Sequence, residues 1–177
     1  IKEIQKRLGI TVVYVTHDQI EAMTMSDRII LINKGVVQQI GTPEEIYRNP
    51  ANPFVANFVG RVNFIKGVAK DGFVEISNTG KKLAYDGDKK GNVIIAIRPE
   101  ALRIDEKDGT IDAKLVSQFY LGDVNDCKVD LGNENIVRVI DHVETYGMFE
   151  ENSNIKLRIK NFMVFDDDGK DYTKIIT

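Results

Sequence analysis

At 177 residues and a formal charge of −3, the chain is long enough to bury the core of one or two domains. It is too acidic for the clustered Lys and Arg of a broad nucleic-acid footprint. Hydrophobic residues make up 42% and charged residues 29%, an ordinary globular balance. A lone cysteine, Cys127, leaves no disulfide framework or cysteine metal site; it reads as a buried, inert thiol compatible with a reducing compartment. No apolar run approaches the ~20 residues of a membrane span. The first residues do not read as a signal peptide. Any membrane role is expected to run through a partner.

In chain order, residues 1–8 read as the end of a helix, with Ile1, Ile4 and Leu8 on one stripe and Gly9 as its stop. A chain that opens in mid-helix is expected to have lost something upstream. Residues 11–16 contain the run Val12-Val13-Tyr14-Val15, whose β-branched composition predicts a strand covered on both faces, as in a parallel sheet. His17 then falls just past the strand's C-terminal end, the rim where open α/β sheets bind ligands. Asp18 predicts an N-cap, and Glu21, three residues on, completes a capping-box pattern. Taken alone, His17 reads first as a cap or a satisfied loop histidine. Ile20, Met23 and Met25 give a helix of about two turns, with the methionines read as core filler rather than a binding surface.

Residues 28–32 predict a second buried strand, and Asn33-Lys34-Gly35 a tight turn into residues 36–40. Thr42, Pro43 and Glu45 carry an N-cap, an N1 proline and a capping-box acid. Glu44 and Glu45 are adjacent on a helix, so they do not face one another as an acid/base pair would; both suit a positive helix end. Asn52-Pro53 opens another helix, with Phe54, Val55, Phe58 and Val59 on one face and Gly60 as its stop.

After Gly60 the periodicity changes to two. Strands are predicted at 64–69, 73–76, 82–85, 93–98, 101–104, 110–119, 124–131, 136–140, 155–159 and 162–165, a closed or partly closed β-barrel. His142, with no second His or Cys nearby, reads as a surface histidine. Asp166-Asp167-Asp168-Gly169 resembles a calcium loop only superficially. The acids are consecutive, and position twelve is Thr177 rather than Glu; a solvated turn is expected, and no metal.

Thr16-His17-Asp18-Gln19, followed by Glu21 to Arg28, resembles the switch-histidine segment of ABC-transporter ATPases. The likeness continues through Asn33-Lys34-Gly35, Gln38 to Pro43, Ile46-Tyr47 and Phe54-Val55-Ala56. It is similar to importer ATPases with a C-terminal barrel, the branch that includes maltose and polyamine importers. The likeness is dense over residues 1–60 and thinner from 61 to 177. The fold class it implies is α+β: residues 1–60 a C-terminal remnant of a P-loop ATPase α/β domain, and residues 61–177 an all-β OB-like (TOBE) regulatory barrel. Arg98-Pro99-Glu100 and Tyr120-Leu121-Gly122 fall where that barrel carries an Arg-Pro-Glu and a Tyr-x-Gly element; each reads as a turn or as a contact.

The resemblance implies that His17 contacts the γ-phosphate and orients the attacking water in the parent, the one catalytic role carried over. It implies ATP and Mg2+ as cofactors of the full-length subunit. The chain itself contains no Gly-x-x-x-x-Gly-Lys-Ser/Thr cradle and no magnesium-site acid after a strand, so no ATP binding or hydrolysis is expected of it alone. The partners implied are a second copy, integral membrane permease subunits and an extracytoplasmic solute-binding protein, at the cytoplasmic face of the membrane. Strands patterned for burial but lacking neighbours also predict self-association. Where the sugar-importer branch reads Phe-Ile-Gly-Ser-Pro-x-Met-Asn, this chain has Phe58 to Phe64 without the Ser-Pro or Met. That leans toward the polyamine, ferric-iron or phosphonate group. A stand-alone oxyanion-sensing barrel is the alternative. An OB-type nucleic-acid binder is disfavoured, because Phe119-Tyr120 lies beside Asp123 and Asp126 rather than in a basic groove.

Overall fold

A computed structural model describes residues 2–133, 135–142 and 149–172. The chain divides into two compact units, Ile1–Arg61 and Val62–Thr177.

In the first unit, helix α1 (Lys2–Leu8) ends at Gly9, whose φ of 64° and N–H to Gln5 C=O make a left-handed stop. None of its residues is buried, and Ile4 and Leu8 stand exposed. Helix α2 (Gln19–Met25) follows, then a hairpin of β1 (Ile29–Asn33) and β2 (Val36–Gly41). Lys34 and Gly35, at φ 49° and 77°, form its two-residue turn. Both angles are positive, as the type I′ twist requires. Helix α3 (Pro43–Arg48) opens on the expected capping box: Thr42 Oγ1 accepts Glu45 N–H at 3.3 Å, and Glu45 Oε2 accepts Thr42 N–H at 2.7 Å. Helix α4 (Pro53–Phe58) is capped by Asn52, whose Oδ1 accepts Val55 N–H at 3.0 Å. Leu31, Ile46, Val55 and Val59 make the small core, with Met23 among the half-buried residues packed on it. Met23 therefore fills core, as its spacing predicts.

Two strand expectations are corrected here. Residues 10–16 form no strand: Val13 and Val15 are 88% and 91% exposed. A two-faced strand needs a hydrogen-bonded neighbour and a covering layer on each side, and none of the described residues supplies them. Residues 29–33 do form a strand, but it pairs only with β2 and buries only one residue fully, Leu31, while Ile30 and Ile32 remain exposed. Its continuous apolar run therefore indicates a capacity for burial on both faces that the hairpin leaves half used.

The second unit is antiparallel β. In order come β3 (Asn63–Lys70), β4 (Phe73–Ile76), β5 (Lys82–Ala84) and β6 (Gly91–Ile97). A 3-10 turn at Pro99–Ala101 leads into β7 (Leu102–Ile104) and β8 (Ile111–Tyr120). Then follow β9 (Val124–Asp130), β10 (Ile136–His142), β11 (Asn154–Ile159) and β12 (Met163–Asp166). All ten expected strands after Gly60 are present, with ends displaced by a few residues.

The strands form two five-stranded sheets, ordered β12-β6-β3-β4-β5 and β10-β9-β8-β11-β7. The edges of the second, β7 and β10, come back into contact, so that sheet is nearly closed on itself as an OB-like barrel. With a few helices added, the class is α+β. Val93, Ile94, Ile95, Ala96 and Ile97 of β6 are all at most 1% exposed, a central strand covered on both faces. At Gly67 of β3 a Cβ would lie 2.6 Å from Ile95 Cδ1 and 2.9 Å from Glu75 C=O, so only glycine lets β3 approach β6 and β4 this closely. The main core includes Val74, Ile95, Leu115, Val129, Val139 and Leu157.

Candidate functional site

His17 sits on a bend between the extended Val12–Val15 run and α2, and it is exposed. Its neighbours are tied down by short-range polar contacts. Asp18 caps α2, its Oδ1 accepting Ile20 N–H at 2.7 Å and Glu21 N–H at 3.0 Å. The reciprocal half of the expected capping box is not made. Glu21 Oε2 instead accepts from Thr16 Oγ1 at 2.6 Å and Tyr14 OH at 3.1 Å, while Asp18 N–H donates to Thr16 Oγ1 at 3.0 Å. Thr16 thus takes the place the box assigns to Glu21, and Glu21 reaches further back along the chain. The Glu21 carboxylate holds the Tyr14 hydroxyl above its ordinary pKa, because losing that proton would leave two anions in contact. Nothing in a local propensity signals the Tyr14–Glu21 contact, which spans seven residues.

The backbone around His17 is therefore shaped by Thr16, Asp18 and Glu21. The imidazole faces a concavity of about 1010 Å³ bordered by Val12–His17, the end of α2 and β1. The apolar walls of that concavity come from Val12, Ile29, Ile30 and Phe58. Of the carboxylates here, Asp18 is committed to the helix end, Glu21 to two hydroxyls, and Asp27 on the concavity's border lies 3.6 Å from Lys2 Nζ. Among the described residues no group of three His, Cys, Asp or Glu is placed to hold a metal. One imidazole with no phosphate cradle does not fit a nucleotide–magnesium site; the segment can contribute a single contact to a site completed by other groups.

The other singled-out residues lie elsewhere. Cys127 is fully buried, and burial, with Asp141 and Asp126 nearby, pushes its thiol up to about 12. His142 ends β10, exposed. Arg98 stands just before the Pro99–Ala101 turn and is buried. Leu121 N–H donates to Val124 C=O across a bend in which Gly122 takes φ 98°, so Tyr120-Leu121-Gly122 is a hairpin turn with two exposed apolar side chains. In the acidic run, Asp167 and Asp168 accept the backbone N–H groups of Gly169 and Lys170. Lys170 Nζ and Tyr172 OH also donate to Asp168 Oδ2. This is turn chemistry. Thr177, the twelfth position of the rejected calcium loop, lies outside the described residues.

Two ion pairs link strands of the barrel. Asp126 and Arg138 form a fork-like pair on neighbouring strands, with Nε to Oδ1 at 2.7 Å. Asp141 reaches toward Arg103 across the β7–β10 edges. Both pairs depend on strand register, which period-two patterning leaves open.

Comparison with known proteins adds the following. Residues 95–160 match the TOBE domain family. The Fe(3+) ions import ATP-binding protein FbpC of Fusobacterium nucleatum is 37% identical over 177 residues, 96% of this chain and 47% of the relative. The trehalose/maltose import ATP-binding protein MalK of Thermococcus litoralis is 38% identical over 183 residues, 94% of this chain and 47% of the relative. The spermidine/putrescine import ATP-binding protein PotA of Aster yellows witches'-broom phytoplasma is 46% identical over 148 residues, 81% of this chain and 36% of the relative. The chain thus spans about half the length of these curated relatives, or less.

Proposed function

This chain is homologous to the ATP-binding subunits of ABC importers and carries a TOBE domain, and from that premise we propose that it is the C-terminal segment of such a subunit. Residues 1–60 are read as the switch-histidine end of the ATPase domain and residues 61–177 as the regulatory, dimerising barrel. What supports this most is the extent of the likeness: it covers 96% of the chain in the iron importer subunit and so runs through both units. A stand-alone oxyanion sensor would require only the barrel, and nothing favours it.

In this reading ATP and Mg2+ bind the whole subunit, to which His17 contributes one contact at the terminal phosphate. No helix of the described residues is long and apolar enough to cross a membrane. The subunit would act at the cytoplasmic face of the cell membrane by docking on integral permease partners, with an extracytoplasmic binding protein delivering the solute. The relatives are named for import of ferric iron, trehalose/maltose, spermidine/putrescine and sn-glycerol-3-phosphate. The departures at Arg61, Val62 and Phe64 favour the polyamine, iron or phosphonate group.

Titration calorimetry tests the reading in two arms. This chain alone should give no binding heat with Mg-ATP; micromolar affinity would overturn the assignment. In the subunit completed by its P-loop half, His17→Ala should abolish turnover while leaving ATP binding within a fewfold. Unchanged hydrolysis would remove His17 from the reaction.

A further inference from the structure

We propose that Asp141 is a proton-operated latch on the barrel seam: ionised, it holds β7 through Ile104 and Arg103; protonated, it turns to Asn125 and releases β7. The seam is the weak line of the barrel. β7 and β10 are the two edges of one sheet, in contact but not hydrogen-bonded neighbours in it. The Asp141 carboxylate accepts the backbone N–H of Ile104 and lies 3.9 Å from Arg103 Nε, so one side chain of β10 engages both backbone and side chain of β7.

The second arm lies inside the sheet. Asn125 is the direct cross-strand neighbour of Asp141, is 2% exposed, and its Oδ1 has no hydrogen-bond partner. A carboxylate is acceptor-only and cannot satisfy that oxygen; a protonated carboxyl carries the O–H donor that can. An unmet buried acceptor is costly, which biases the protonated group toward Asn125. The side chain then has two partners, one for each charge state, and they lie on different strands.

The surroundings set the pH at which it switches. Burial pushes the Asp141 carboxyl above the usual aspartate range, opposed by Arg103 on β7, by its neighbour His142, by the Ile104 N–H and by Lys160 beyond β11. From β9, Cys127 stays a neutral thiol up to about 12, and Asp126 is engaged by Arg138. Arg98 and Glu100 belong to the turn packed against β10 and also contribute charge near the seam.

The test is residue-resolved hydrogen exchange and carboxyl carbon chemical shifts on the 177-residue chain across the acid range. With the intrinsic chemistry of exchange corrected for, Ile104 N–H opening should rise about tenfold per pH unit as pH falls toward the Asp141 midpoint and level off below it, the behaviour of a one-proton linkage. Leu115 and Val129 should stay protected. Asp141→Asn should remove the pH step. Arg103→Gln should raise the midpoint and Asn125→Ala should lower it, so the proposal remains testable if one variant fails to fold. Flat Ile104 protection, an Asp141 midpoint at the ordinary aspartate value, or simultaneous loss of Leu115 and Val129 protection would each overturn it.

Discussion

Cys127 shows how much one side chain owes to its surroundings. Its type and its alternating context point to a buried thiol, and the barrel interior pushes it up to about 12 by withholding water from the thiolate. The unfolded thiol ionises near pH 8.5. Because the folded value is the higher, this group's contribution to stability is complete below about pH 8.5 and is lost as pH rises toward about 12. The native protein should therefore resist Ellman's reagent at pH 8 and react stoichiometrically in denaturant; prompt labelling of the native state would contradict the buried placement. At Glu21 the residue scale teaches the opposite lesson. The capping-box pattern is satisfied in type and spacing, yet the carboxylate serves Thr16 and Tyr14. A motif names the groups available, and competition between partners at similar distance settles which bond is made.

Among elements, residues 12–15 depart furthest from their local pattern. Four consecutive strand-forming side chains lie outside any sheet, Val13 and Val15 almost fully exposed. β-propensity is largely a statement about packing on a pleated, half-buried surface, and among the described residues no such surface meets them. An exposed apolar segment with unpaired backbone groups is prone to associate. Sedimentation at tens of micromolar, within the range where such exposure matters, should show dimers or larger species. Val13→Lys with Val15→Lys should restore the monomer at almost no cost in stability, since neither side chain packs. A clean monomer in the parent chain would refute this account. The capped helices behave differently. Thr42 and Asn52 make the expected contacts because a cap involves only residues three apart.

At the scale of the whole molecule, the second unit holds a large apolar core and nearly closes one of its two sheets. Residues 62–177 produced alone should unfold in one cooperative transition. Leu157→Ala, at a fully buried position of β11, should lower its stability by about 2–5 kcal/mol through lost burial and the cavity left behind. A non-cooperative melt of the isolated unit would show that its core is incomplete. The barrel's closure is the feature least visible beforehand. β7 pairs with β11 and faces β10, strands well separated in sequence. Asp141, Arg103 and Asn125 become neighbours only through that arrangement.

Periodicity, caps and turn residues carried most of the local structure. The ten strands after Gly60, the Thr42 and Asn52 helix starts and the Lys34-Gly35 turn all follow from interactions within a few residues, which composition encodes directly. The likeness around His17 is likewise a property of the letters in order. Pairing partners, strand order, the seam and the exposure of Val12–Val15 depend on which distant surfaces meet. A strand's pattern says that one or both of its faces will accept a neighbour, and only the folded chain says whether a neighbour arrives.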